Sequence, residues 1–120
     1  MAIQNNEAAA KGPVGWFTGD AWINGIVGPT EDSTISVAEV PFVPGARSAW
    51  HSHECGQARY VVDGVGRDQS RGEEVVEIRS GDVYLTRSGE EHGYGASHDH
   101  LMTHISITRG PATWGEHVNV

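Results

Sequence analysis

The chain has 120 residues, which corresponds to one domain of ordinary size. Sixteen acidic residues against eight basic ones give a net charge of −8, and such a surface repels phosphate backbones, so nucleic acid is not an expected partner. The single cysteine, Cys55, excludes an intramolecular disulfide, and no apolar run approaches the roughly 20 residues that span a bilayer. We therefore expect a cytoplasmic protein with no membrane partner.

The pattern along the chain is one of short strands separated by glycine and proline. Residues 1–13 are polar and end at Gly12-Pro13, which indicates a flexible lead-in before a single domain at residues 14–120. Pro41 is expected to end the second strand, and Asp63-Gly64 to form a hairpin turn after the fourth. In chain order, the predicted strands are residues 21–27, 34–40, 46–53, 57–62, 75–78, 83–86, 92–96 and 101–108. Strands this short and regularly spaced indicate an all-β fold, either an antiparallel barrel or a jelly roll.

Two histidines of one predicted strand are placed to share a metal ion. His51 and His53 are two residues apart, so both side chains leave the same face of the strand. Gln57 follows a short bend that can return the chain to the same ion, and His92 begins a later strand. Three imidazoles and an amide oxygen suit a divalent transition metal. The remaining histidines and the cysteine are expected to be solvated or structural: His98, His100, His117 and Cys55.

These residues lie in two segments that resemble the motifs of the cupin family. The resemblance covers about residues 14–118. It implies an antiparallel cupin jelly-roll β-barrel with one divalent metal, manganese or iron foremost and nickel, cobalt or zinc as alternatives. The ligands it implies are His51, His53, Gln57 and His92. The matching positions are Gly45, His51, His53, Gln57 and Gly64 for the first motif, and Gly81, Asp82, Gly89 and His92 for the second.

Within the family, a site of three histidines and one glutamine is similar to that of small bacterial cupins, some of them manganese-dependent hydroxynitrile lyases. The resemblance places Ser48 in the pocket, together with His104 as an unligated imidazole that titrates near neutrality and can act as a general base. Two positions depart from those lyases, because Tyr94 stands where they have a histidine and Arg59 where they have a leucine. Tyr94 is expected to donate or transfer a proton. Arg59 is expected to clamp an anionic substrate group or, alternatively, to pair with a nearby acid.

A metal held only by neutral ligands keeps its full charge, which predicts a strong Lewis acid. Our leading hypothesis is a metal-dependent lyase, isomerase or cyclase that acts on a small oxygenated or anionic metabolite. A cupin dioxygenase that uses iron and O2 is one alternative, and a non-catalytic cupin that binds a small molecule is another. Small cupins of this kind usually pair, and Ile105 and Ile107 lie on a sheet face that needs a cover, so we expect a homodimer.

Overall fold

The computed structural model describes residues 9–118. Residues 1–8 of the expected lead-in lie outside the described residues, whereas its later part contains a short strand. No helix occurs in the described range, so no helix there is long enough to cross a membrane, and a cytoplasmic location stays a prediction. The strands are β1 (Ala10–Lys11), β2 (Phe17–Thr18), β3 (Trp22–Val27), β4 (Ile35–Phe42), β5 (Arg47–Ser48), β6 (His51–His53), β7 (Gln57–Ser70), β8 (Val76–Arg79), β9 (Val83–Thr86), β10 (His92–Ala96), β11 (Met102–Arg109) and β12 (Ala112–Trp114).

The strands pair antiparallel and form one curled sheet in the order β1-β3-β4-β11-β7-β10-β5-β2, with β6, β8, β9 and β12 attached to its sides. The 14-residue strand β7 belongs to both walls of this sheet. Its first half pairs with β9 and β11, and its second half pairs with β8 and β10. Because the sheet curls back on itself, the inner faces of β4, β7, β10 and β11 enclose a common interior. The all-β, antiparallel prediction is confirmed.

The hairpin turn predicted at Asp63-Gly64 is wrong, because β7 continues through these residues to Ser70. The register between β7 and β11 shifts between Thr103 and His104, which marks a β-bulge at this point. Gly64 has a φ of +85°, and a Cβ on it would collide with the carbonyl oxygen of Leu101. Glycine is therefore needed here for its positive φ and for the close approach to Leu101, and the Asp-Gly dipeptide is also typical of a turn.

The strand β4 likewise continues beyond its predicted end. It includes Pro41 and ends at Phe42, in register with β11 throughout. Its pairing with β3 ends at Glu39, and only an isolated bridge between Ala21 and Phe42 follows. Pro41 thus lies where the ladder with β3 is interrupted, which is the kind of position at which a strand tolerates a missing N–H.

The interior of the curled sheet contains a closely packed core around Phe42. The Phe42 ring meets the edges of two polar residues there, with ring-centroid distances of 6.0 Å to Tyr94 and 5.4 Å to His104. Such packing fixes the orientation of side chains that carry polar groups. The fully buried apolar side chains of this core include Phe42, Val61, Ile78, Ala96 and Met102.

The outer face of β9, β7, β11 and β4 carries apolar side chains that are neighbours across the strands. Leu85 is 82% exposed and Ile107 is 42% exposed, and Ala58 lies between them in register. Val83 and Tyr60 form part of the next row and are also exposed. Contiguous apolar surface of this kind is typical of an interface, and a two-fold dimer would place the same face of two copies together.

The homodimer stays a prediction, and this face provides its test. We expect the double substitution Leu85→Lys and Ile107→Lys to convert a dimer to a monomer, because two charges placed on this row would be buried without partners. Light scattering coupled to size-exclusion chromatography measures the mass, and circular dichroism checks the fold. Leu101→Lys is the matched control, since Leu101 is 48% exposed but precedes β11. A monomeric wild-type protein at micromolar concentration contradicts the prediction.

Candidate metal centre

Three histidines from two strands converge inside the curled sheet. His51 and His53 leave the same face of β6, and His92 of β10 is the register partner of His51. The ring centroids lie 4.4 Å apart for His51 and His92, 4.9 Å for His51 and His53, and 5.5 Å for His53 and His92. One nitrogen of each ring lies within 4.8 Å of the others. Imidazoles at this spacing are able to hold one metal ion.

Ligand atoms of the three histidines and of Gln57 have no hydrogen-bond partner among residues 9–118. They are Nε2 of His51, His53 and His92, and Oε1 of Gln57, and all four are buried. A buried acceptor without a partner costs about 1–3 kcal/mol. Four of them on residues of one cluster are therefore the donor set that a cation would satisfy, and the residues present fit a transition-metal ion.

The opposite atoms of three of these side chains are held by neighbours. His51 Nδ1 lies 2.8 Å from the carbonyl oxygen of Ala49, and His92 Nδ1 lies 3.1 Å from Thr86 Oγ1. These contacts leave Nε2 as the free nitrogen of each ring. In the same way Gln57 donates from Nε2 to Ser106 Oγ at 2.9 Å, which leaves its amide oxygen free.

Burial keeps the three imidazoles neutral at neutral pH. Burial of the charged ring, together with the nearby Arg59 guanidinium, lowers the pKa of His51 to about 3 and that of His53 to about 4. Burial, followed by the nearby His51, also lowers the pKa of His92. A neutral imidazole offers the lone pair that a metal requires, so these rings need not lose a proton before binding one.

The cluster borders a cavity of about 330 Å³. His53, Gln57 and Tyr94 line one side of it, and most of the remaining wall is aromatic or aliphatic. The indoles of Trp16 and Trp114 stack at 4.7 Å with an angle of 7° between their planes, and Trp114 also stacks on the His51 ring at 4.3 Å. A cavity of this size takes a small molecule and offers it apolar contacts beside the histidine cluster.

Comparison with known proteins gives the same family as the motifs. Residues 38–108 match the family described as the cupin domain. The chain is a cupin. It is 41% identical over 117 residues to the (R)-mandelonitrile lyase of Granulicella tundricola, a match that covers 94% of this chain and 89% of that protein.

Solved structures confirm the predicted cupin jelly-roll barrel. A cupin-like protein from Thermotoga maritima superimposes with a TM-score of 0.88 and 36% identity, over 94% of this cupin and 89% of that chain. An acetylacetone dioxygenase from Acinetobacter johnsonii superimposes with a TM-score of 0.76 over 99% of this cupin and 85% of that chain. Its identity is only 15%, so that likeness shows the fold alone.

Arg59 of this cupin is buried but is not among the described residues that line the cavity. Its Nη2 lies 2.8 Å from Asp68 Oδ1, and its guanidinium lies over the Tyr94 ring, 4.2 Å from the centroid. Asp68 Oδ1 is also 4.0 Å from Nδ1 of His92. The structure thus gives the alternative considered for Arg59, an ion pair with a nearby acid, rather than a guanidinium that faces the cavity.

Ser48 and His104 are also buried away from the cavity wall. Ser48 Oγ accepts a hydrogen bond from the backbone N–H of Tyr94 at 3.0 Å. His104 packs against Tyr94 at 4.8 Å, and neither of its ring nitrogens has a partner in the described part of the chain. Burial, followed by the charge of Arg59, lowers the pKa of His104 well below its usual value, so the expectation that it titrates near neutrality is wrong. Tyr94 does line the cavity, and burial raises the pKa of its phenol.

Sequence reasoning missed Asp68 and Ser106. Asp68 is the register partner of Tyr94, and Ser106 is the register partner of Arg59, so both belong to the interior rows. Their polar character was visible in the sequence, but the predicted hairpin at Asp63-Gly64 removed Asp68 from β7. The histidines expected to be solvated are exposed, namely His98, His100 and His117, and Cys55, which was expected to be structural, is exposed as well.

We expect the metal-free protein to lose stability as the pH falls below about 6.5, the usual histidine value. The folded-state pKa values of His51 and His53, about 3 and about 4, lie below it, so the unfolded state binds more protons in this range. Each such histidine contributes up to about 1.4 kcal/mol per pH unit. Urea unfolding at a series of pH values measures the slope. His53→Gln should reduce this slope by the contribution of one proton, whereas His100→Gln should leave the slope unchanged. A free energy of unfolding that does not change with pH in the wild-type protein contradicts the prediction.

The buried pair of Arg59 and Asp68 predicts a strongly non-additive mutational effect. Asp68→Ala alone should cost about 3–5 kcal/mol, because it leaves a buried guanidinium unpaired. The double variant Arg59→Leu with Asp68→Ala should be close to wild type in stability, because no buried charge remains. Urea denaturation measures the cycle, and the exposed pair Arg79 and Glu77 is the control, with an expected coupling below about 1 kcal/mol. A cost of Asp68→Ala as small as the coupling energy of this control pair would contradict this account.

Proposed function

We propose that this cupin is a metal-dependent lyase that cleaves a bond at the hydroxyl-bearing carbon of a small neutral substrate with an apolar or aryl group. The observation that carries the proposal is the set of four unpartnered ligand atoms beside a mainly apolar cavity. The 41% identical relative, named a mandelonitrile lyase, supports the lyase class and an aryl cyanohydrin as the first substrate to test.

In this proposal His51, His53, Gln57 and His92 hold one divalent ion, with manganese foremost, iron next, and nickel, cobalt or zinc as alternatives. When bound, the ion supplies Lewis acidity toward a substrate oxygen, undiminished by an anionic ligand. The protein's part is to aim the ligand atoms. Ser106 Oγ serves this purpose because it accepts a hydrogen bond from Gln57 Nε2, which directs Gln57 Oε1 away from Ser106.

The cavity walls orient the substrate by its apolar part. Trp16 and Trp114 offer a stacked indole surface, while His53 and Gln57 mark the polar end of the same cavity. A substrate with an aryl or alkyl group against the indoles would therefore place its hydroxyl toward the histidine cluster. No described lysine or arginine lines this cavity, which favours a neutral substrate over the anionic one that Arg59 had suggested.

Tyr94 is the proton-carrying residue of the proposal. Its phenol lines the cavity and stays protonated at neutral pH, since burial raises its pKa. In cyanohydrin cleavage the hydroxyl proton leaves the substrate, the bond between the carbinol carbon and the cyanide carbon breaks, and cyanide takes up a proton to give an aldehyde and HCN. In this proposal Tyr94 Oη gives its proton to cyanide, and the hydroxyl proton of the substrate passes to the resulting phenolate, so that Tyr94 ends the cycle protonated. Ser48, Arg59 and His104 contact Tyr94 and act as positioning residues.

The test measures metal content and turnover in the same preparations. We expect manganese-loaded protein to release benzaldehyde from mandelonitrile, to lose this activity on chelation, and to regain it when metal is added. Tyr94→Phe should lower kcat by roughly 10²-fold with little change in KM, because proton transfer typically contributes 10²–10⁴-fold. His92→Ala should abolish metal binding and activity together.

His100→Ala is the matched control, since His100 is exposed and lies outside the cavity. Two results overturn the proposal. Oxygen uptake by iron-loaded protein in step with turnover indicates the dioxygenase alternative. Tight binding of small molecules without turnover, with every metal tried, indicates the non-catalytic alternative.

A further inference from the structure

Two arginines lie side by side on the face of β10 that points away from the metal centre. Arg47 of β5 and Arg67 of β7 are both register partners of Gly95, one on each side of β10. Because side chains alternate along a strand, this row faces away from Tyr94, which lines the cavity. Because Gly95 has no side chain, it places no atoms between the side chains of these two arginines.

Both arginines keep donors that no group among the described residues accepts. Arg47 is only 2% exposed, and its Nε and Nη2 are buried without a partner there. Arg67 donates from Nε to the carbonyl oxygen of Ala96 at 3.0 Å, and its Nη1 lies 3.0 Å from Nε2 of His98. These contacts hold its guanidinium in place, while its Nη2 is buried without a partner in the described range.

The acids of the neighbouring strand positions are engaged elsewhere. Asp68 follows Arg67 in β7 and forms its ion pair with Arg59 at 2.8 Å. Glu77 of β8 is the register partner of Arg67, but its carboxylate lies 2.8 Å from Nη2 of Arg79.

Burial, followed by the positive charge of Arg67, lowers the pKa of Arg47 to about 10. Two positive charges therefore share a poorly solvated place. The charge of Asp68 raises the pKa of Arg47, but its carboxylate is paired with Arg59, so an added anion would stabilise the two arginines.

We propose that Arg47 and Arg67 form an oxyanion-binding site that takes the carboxylate or phosphate group of a small molecule. The planar donor forks of two guanidiniums match the oxygens of these groups, and charge-assisted hydrogen bonds of this type are the strong ones. The same chemistry could come from a carboxylate side chain of another copy. The face expected to pair two copies lies on β9, the first half of β7, β11 and β4, and not on β5 or β10, so the site takes a free anion.

Inorganic phosphate is the probe, titrated into the protein as purified and compared with chloride at equal ionic strength. Isothermal calorimetry should show one phosphate per chain, and the melting temperature should rise by several degrees at saturation. Phosphate also stabilises proteins in general and can bind a resident metal, but both effects act equally on all variants. Arg67→Gln should weaken phosphate binding at least tenfold and remove most of the difference in melting temperature, whereas Arg79→Gln should change neither.

Arg47→Lys is the second variant, because it keeps the charge but loses the fork, and it should also weaken binding. If Arg47→Lys does not fold, Arg67→Gln decides alone, since Arg67 is only partly buried. An equal phosphate response in wild type and Arg67→Gln overturns the proposal. So does a crystal structure grown in phosphate in which a carboxylate of the protein itself occupies these donors.

Discussion

The candidate metal centre of this cupin depends on buried polar atoms that lack hydrogen-bond partners. Three imidazole nitrogens and one amide oxygen are buried together with no partner among residues 9–118. At about 1–3 kcal/mol for each, the total cost is comparable with the net stability of a typical domain, about 5–15 kcal/mol. A bound cation removes this cost, and its binding energy then adds to the stability of the fold. The contacts of His51 with Ala49 and of Gln57 with Ser106 fix the orientation of these side chains, so that His51 Nε2 and Gln57 Oε1 stay without a hydrogen-bond partner.

Charge within the barrel is arranged around the same cluster. The Arg59 guanidinium lies within the interior and lowers the pKa values of His51 and His53, so it helps to keep the ligands neutral. Asp68 neutralises this guanidinium, which lies over the Tyr94 ring. The charge of Arg59 is thereby neutralised within the interior, and the cavity that a substrate would enter remains mainly apolar. This is the physical reason why the proposed substrate is neutral.

The strand β10 links the two sites through the alternation of its side chains. His92 and Tyr94 point to the interior, whereas the intervening positions on the other face are glycines. A Cβ on Gly93 would lie 2.9 Å from Val118, and a Cβ on Gly95 would lie 2.7 Å from Cα of Arg47. Both glycines therefore allow the chain to pack closely on the outer side of the strand that carries His92 and Tyr94.

The sequence by itself determined the family, the strand-based architecture and the convergence of the histidines. These follow from local rules, because two residues of one strand separated by one position share a face, and His51 and His53 obey this in β6. Only the tertiary structure decided that Arg59 pairs with Asp68 and that His104 is sealed from the cavity. Those outcomes depend on the continuation of β7 past Asp63 into its pairing with β10, and an Asp-Gly dipeptide is equally compatible with a turn. Strand parity gives the face on which a side chain lies, but the register between distant strands decides what it meets there.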